Sequence, residues 1–239
     1  MIIIPARLSS TRLPNKVLAD INGIPMVIKT AFIAQKIDDV VIATDSKKVI
    51  EIAQKYNIKA IMTDANHKSG SDRIKEASDI LGLSENELII NLQGDEPFIE
   101  SEILQSVKDT LEKIKTREFV MVSCYKKIDE LSAEDPNLVK VVIDKNDDAI
   151  YFSRSKIPYN RDNSVHNYKG HIGIYGFNKK SLDKFCKINA NIEDIEKLEQ
   201  LRVIYHGYKI KMIEVQTNSF GIDTAEDLKK AIEYEKNSH

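Results

Sequence analysis

The sequence predicts an α/β fold built on a doubly wound, mostly parallel sheet. Three observations carry that expectation. Short β-branched runs that read as buried strands each end in a polar loop, stretches of helical period separate them, and a middle segment carries strands with little helix between.

Residues 2–4 form the first run, which stops at Pro5, and residues 40–43 repeat it before Thr44 and Asp45. Between them, residues 25–36 place Val27, Ile28, Ala31, Phe32 and Ala34 near helical spacing. The pattern continues with helix over 47–56, strand over 59–62, helix over 71–81 and strand over 88–92. Such alternation puts ligands at the carboxyl ends of the strands. Strands are expected next at 119–125, 139–143, 149–152 and 171–177, a mixed or antiparallel extension. Helices follow at 181–187 and 194–205, then a strand at 210–215 and a last helix from Thr224 to about Lys236. Thr224 with Asp227 three residues on resembles a capping box, with Asp in place of Glu.

Composition excludes several functions. With 35 Lys plus Arg against 37 Asp plus Glu, the net charge of -2 argues against a general nucleic-acid binder, which needs excess positive charge to release counterions. Two cysteines, Cys124 and Cys186, match neither a disulfide framework nor a zinc pattern, so a reducing cytoplasm is expected. No apolar run approaches the about 20 residues that span a bilayer, and the N-terminus lacks signal-peptide character, so no membrane insertion is expected.

The loop after the first strand holds Arg7, Arg12 and Lys16 with Ser9, Ser10 and Thr11, and is fixed by Pro5 and Pro14. Cations, hydroxyls and free backbone N–H groups there suit a polyphosphate. A solvated basic loop is the alternative. Phosphate-loop and dinucleotide fingerprints are absent. Asp95 follows a strand within Gln93-Gly94-Asp95-Glu96-Pro97, where a carboxylate can take Mg2+ bound to phosphates, although Gly-Asp and Glu-Pro are also turn dipeptides. Asp223 precedes a helix, where Asp and Thr are routinely caps, so the cap is the stronger reading of the residue alone. Ser69, Gly70 and Arg73 enter a helix as another ligand edge or as its cap. Gly170, Gly173 and Gly176 around His171 and Tyr175 suggest a bulge or close backbone approach, while a lone histidine is more often structural. Glu199 and Gln200 lie on an amphipathic helix whose default is a solvated face.

Taken in order, IIIPARLSSTRLPNK, HKSGSDR, NLQGDEP, YFSRSKIPY, GHIGIYGF, LEQLR and GIDTAEDL resemble the 3-deoxy-manno-octulosonate (Kdo) cytidylyltransferases over nearly the whole chain. The opening motif is shared with wider sugar-nucleotide transferases, and the later ones point to the Kdo branch. Tyr159 stands where a tryptophan is frequent. The resemblance implies a single nucleotidyltransferase domain over 1–239, of the nucleotide-diphospho-sugar transferase type, with a β-rich extension at about 124–178 that joins a homodimer. It implies transfer of CMP from CTP to Kdo with release of pyrophosphate, the alternative acceptors being 8-amino-Kdo or a sialic-acid-like sugar. Arg7, Arg12 and Lys16 would hold the triphosphate, with Arg12, Lys16, Asp95 and Asp223 catalytic and the two aspartates binding Mg2+. Ala6, Ser69 and Arg73 would border the cytosine and Gln93 both ligands, while Arg154, His171, Tyr175, Glu199 and Gln200 would hold the sugar acid.

Overall fold

A computed structural model describes residues 1–10, 13–162, 164 and 167–237. The chain forms two compact units, one of residues 1–105 with 218–239 and one of residues 106–217.

The first unit begins with β1 (Ile2–Ala6), whose five residues are all buried, followed by a single 3-10 turn at Lys16–Leu18. A small antiparallel pair, β2 (Asp20–Ile21) and β3 (Ile24–Pro25), leads into α1 (Met26–Ala34). Then come β4 (Val40–Thr44), α2 (Lys47–Lys55), β5 (Lys59–Met62), α3 (Gly70–Ile80), β6 (Leu88–Asn91) and α4 (Ser101–Ile114), in which the chain passes into the second unit. Helix α4 escaped the sequence reading, although Ile103, Leu104, Val107, Leu111 and Ile114 are buried at helical spacing.

Strand β1 pairs in parallel with β4 on one side and β6 on the other, and β4 pairs in parallel with β5. The chain therefore steps outward from β1 to β4 to β5, then returns to the far side of β1. Both α1 and α3 pack on β1 and β4, and the right-handed rule for such crossovers assigns α1 and α2 to one face and α3 to the other. Burial on both faces is why Ile2, Ile3, Ile4, Val41, Ile42 and Ala43 form unbroken apolar runs. The reversal of strand order beside β1 opens a crevice at the carboxyl ends of β1 and β6.

The second unit continues with β7 (Met121–Ile128), the short α5 (Glu130–Ala133), β8 (Lys140–Ile143), β9 (Ala149–Ser153) and β10 (Tyr168–Asn178). Helices α6 (Lys179–Lys187), α7 (Asn191–Glu196) and α8 (Leu201–Tyr205) precede β11 (Lys211–Glu214). Strand β7 lies between a parallel β11 and an antiparallel β10, β10 also pairs with β8, and β8 with β9, the mixed extension expected. The helix expected over 194–205 is two helices, because Lys197 takes a left-handed conformation with φ 54° and ends α7. The chain closes in the first unit with α9 (Ala225–Asn237).

Candidate active site

The crevice beside β1 gathers residues from four stretches of the first unit. Arg7, Ser10 and Lys16 come from the loop after β1, Lys68, Ser69, Gly70 and Arg73 from the start of α3, Gln93 to Asp95 from the loop after β6, and Asp223 from the segment before α9. At its centre the Lys16 ammonium donates to Asp95 Oδ2 at 2.5 Å and to Asp223 Oδ1 at 2.8 Å. Burial disfavours the Lys16 charge, but the two carboxylates outweigh it and raise the pKa above the ordinary lysine value. Lys16 is therefore a permanent cation at neutral pH.

Local structure explains the convergence. The Ile222 N–H donates to the Asp95 carbonyl at 3.1 Å, tying the C-terminal segment to the loop after β6. Ile222 is fully buried in a cluster with Ile21, Met26 and Ala231. Thr224, not Asp223, caps α9: the Asp227 N–H donates to Thr224 Oγ1 at 3.1 Å, and the Thr224 N–H donates to Asp227 Oδ2 at 3.0 Å. The neighbouring Asp223 carboxylate is thereby left to face Lys16. Gly70 enters α3 where an added Cβ would lie 3.3 Å from Pro5 Cγ and 3.6 Å from the Gln93 amide oxygen, so a side chain there would crowd the crevice floor.

The remaining residues expected beside the nucleotide divide by role. Ser69 caps α3, accepting from the Asp72 N–H at 3.2 Å, and it also lines the crevice. Arg73 is buried and donates to Thr63 Oγ1 at 2.6 Å and Asp45 Oδ2 at 3.1 Å, so most of its fork holds the frame. Ala6 is buried at the end of β1, just before Arg7. Arg12 lies outside the described residues. Lys68 is a crevice cation that the sequence reading did not single out, although it sits in the quoted turn next to Ser69.

Among the described residues no group of three or more His, Cys, Asp or Glu side chains forms a metal cluster. Mg2+ commonly takes one or two carboxylates and completes its shell with phosphate oxygens and water. Asp95 and Asp223, reaching one ammonium from two segments, fit such a cation shared with a triphosphate.

A second pocket, in the second unit, brings together His171, Tyr175, Glu199 and Gln200 with Asn137, Gly173 and Lys197. Strand β10 bulges between Ile172 and Tyr175, where its register against β7 shifts, as the glycine spacing suggested. Ser123 sits against the bulge, with its hydroxyl 2.8 Å from His171 Nε2 and 2.9 Å from the Ile174 carbonyl. Burial pushes the His171 pKa well below its usual value, so the ring is neutral at pH 7. Burial first, then Glu199, raises the Tyr175 pKa, leaving a neutral phenol. Arg154 does not line this pocket. Its guanidinium donates to the carbonyls of Glu196 at 2.7 Å and Pro136 at 3.0 Å.

Residues 1–211 match the family model described as cytidylyltransferase. A 3-deoxy-manno-octulosonate cytidylyltransferase of a Nitratiruptor species is 55% identical over 96% of this chain and 97% of its own. The enzyme of that name from Wolinella succinogenes is 49% identical over 97% and 98%. The solved structure of a CMP:2-keto-3-deoxy-manno-octonic acid synthetase complexed with CTP superposes with a TM-score of 0.93 at 35% identity, covering 100% of this chain and 98% of that one. With its parallel sheet, its cationic crevice at the strand-order reversal and these relatives, this chain is a nucleotidyltransferase that belongs to the cytidylyltransferase family, on its 3-deoxy-manno-octulosonate branch.

Proposed function

We propose that the first-unit crevice binds CTP and that the chain transfers its CMP group to Kdo, with Lys16, Asp95 and Asp223 as the catalytic centre. The observation that carries this reading is the single ammonium shared by two carboxylates at the mouth of β1 and β6. The anomeric hydroxyl of the sugar gives its proton to water and forms the new bond to the α-phosphorus, the bond to the bridging oxygen breaks, and pyrophosphate departs with its electron pair. Such transfer depends on placement and charge neutralisation more than on a covalent nucleophile.

Lys16 stays protonated, so it is an electrostatic group and not a base, and it offsets charge that grows on the leaving pyrophosphate. Arg7 and Lys68 line the same crevice and add positive charge for the phosphates, and Arg12 belongs to the same loop. Asp95 and Asp223 would hold Mg2+, which when bound screens the phosphate oxygens and acidifies the attacking hydroxyl. Gln93 and Ser69 line the crevice, and Ser69 with the backbone near Ala6 would face the base. In the second unit, neutral His171 and Tyr175 with Glu199 and Gln200 offer directional partners for sugar hydroxyls.

Cys124 and Cys186 are not joined in a disulfide, which suits a reducing cytoplasm, and no helix of the described residues is long and apolar enough to cross a membrane. A homodimer through the 124–178 segment is supported by large apolar side chains exposed there: Leu131, Ile150 and Tyr159.

The test is pyrophosphate release by purified protein with CTP and Mg2+, comparing Kdo, 8-amino-Kdo and sialate as acceptors. Fast release with Kdo and almost none with sialate is expected. Equal rates with sialate would remove the assignment.

A further inference from the structure

Lys140, on β8, is fully buried, yet among the described residues it forms no ion pair. Its ammonium donates to two main-chain carbonyls, Asp135 at 2.8 Å and Arg154 at 2.6 Å. Burial lowers its pKa, an effect that Asp135 and Glu134 partly reverse. Arg154 extends the pattern, giving Nε to the Glu196 carbonyl at 2.7 Å, one terminal nitrogen to the Pro136 carbonyl at 3.0 Å and the other toward the Lys197 carbonyl at 3.5 Å. Glu196 closes the circuit through its carboxylate, which accepts the Ser153 hydroxyl at 2.7 Å and the Arg154 N–H at 3.0 Å.

Two cations thus tie three chain segments together: 135–136, 153–154 and 196–197. The first runs straight into Asn137 and Val139, and the last into Lys197, Leu198, Glu199 and Gln200, all of which line the second pocket. A buried lysine that meets only carbonyls is a weak stabilising device, since a well-packed apolar chain of similar length would hold the core as well. What an apolar chain cannot supply is directional bonds that set the spacing of two walls. We infer that Lys140 is a positioning residue for the sugar pocket, acting through the 135–139 wall and through Arg154 on the 196–200 wall.

The inference rests on the reading of this pocket as the Kdo site. It is tested by steady-state kinetics of Lys140→Met, in which methionine fills the space of the lysine stem. The Michaelis constant for Kdo is expected to rise about tenfold or more, while that for CTP stays within about twofold of the wild-type value. A purely structural role would lower the folded fraction, and with it the apparent kcat, leaving both Michaelis constants unchanged. That result overturns the inference. Should the methionine variant fail to fold, Lys140→Gln keeps an amide donor, and a smaller rise confined to Kdo is expected; an unchanged constant there contradicts the proposal equally. A wild-type enzyme that binds CTP but ignores Kdo would instead sink the assignment of the pocket.

Discussion

At the scale of single residues, Lys16 and His171 are the groups whose surroundings decide their charge. Lys16 is cationic because Asp95 and Asp223 overcome its burial, so Lys16→Met removes the charge proposed to balance the leaving group. Turnover is expected to fall by about 100-fold or more. Stability should change by less than about 1 kcal/mol, because Asp95 and Asp223 remain 25% and 44% exposed and water screens them. Since the folded pKa is raised, the stability that Lys16 contributes is fully present below the unfolded value near 10.5 and fades only as pH rises through the folded one. Thermal melts of wild type and Lys16→Met should therefore differ by a constant amount from neutrality to about pH 10. His171 works in the opposite sense. Its ring takes a proton near pH 6.5 when unfolded but only at about 3 when folded, so stability drains away as pH falls through that window. In His171→Asn the melting temperature should depend less on pH between those values, and an equal dependence would contradict a neutral ring. Residue type revealed Asp95, Lys16 and His171 as candidates, but the role of Arg154 was hidden. A guanidinium that serves main-chain carbonyls has partners without any sequence signature.

At the scale of elements, the site depends on how helices and strands begin and bend. Helix α9 starts with Thr224 and Asp227 satisfying each other's backbone N–H groups, and Asp227 also accepts the Asp223 N–H at 3.2 Å. Asp227→Ala should cost about 1 kcal/mol and, by loosening the backbone of Asp223, lower turnover several-fold; a thermal melt and a rate measurement check both parts. In β10 an added Cβ at Gly176 would meet Leu111 Cδ1 at 2.7 Å and Val107 Cγ1 at 2.9 Å, so Gly176→Ala overpacks α4 against the strand. A loss of about 1–3 kcal/mol is expected in chemical denaturation. The capping box and the bulged strand were readable from residue types, because Thr, Asp and clustered Gly act locally. The break at Lys197 was not, since a lysine held at φ 54° by surrounding structure carries no glycine to announce it. Helix α4 shows the reverse: its apolar spacing was present in the sequence and went unread beside the stronger turn signal of Gly94 to Pro97.

For the molecule as a whole, the topology of the first unit brings distant residues to one point. Stepping from β1 out to β5 and back to β6 leaves a crevice beside β1, and the C-terminal segment returns to it so that Lys16 meets Asp223 across 207 residues of chain. The alternation of strands and helices announced the sheet and the end of it that carries the candidate site. Which two acids would share a cation could not follow from spacing, because their meeting depends on Ile222 docking into a core built from other segments. A dimer is expected in light scattering, and substitution of Tyr159 and Leu131 by charged residues should shift it toward monomer. The central claim, that Asp95 and Asp223 act together on the phosphates, is tested most directly by the rate of pyrophosphate release from CTP and Kdo by folded Asp223→Asn. A fall of about 100-fold or more is expected. A rate within about twofold of wild type would show that the second carboxylate is only a helix-end residue, and would contradict the claim.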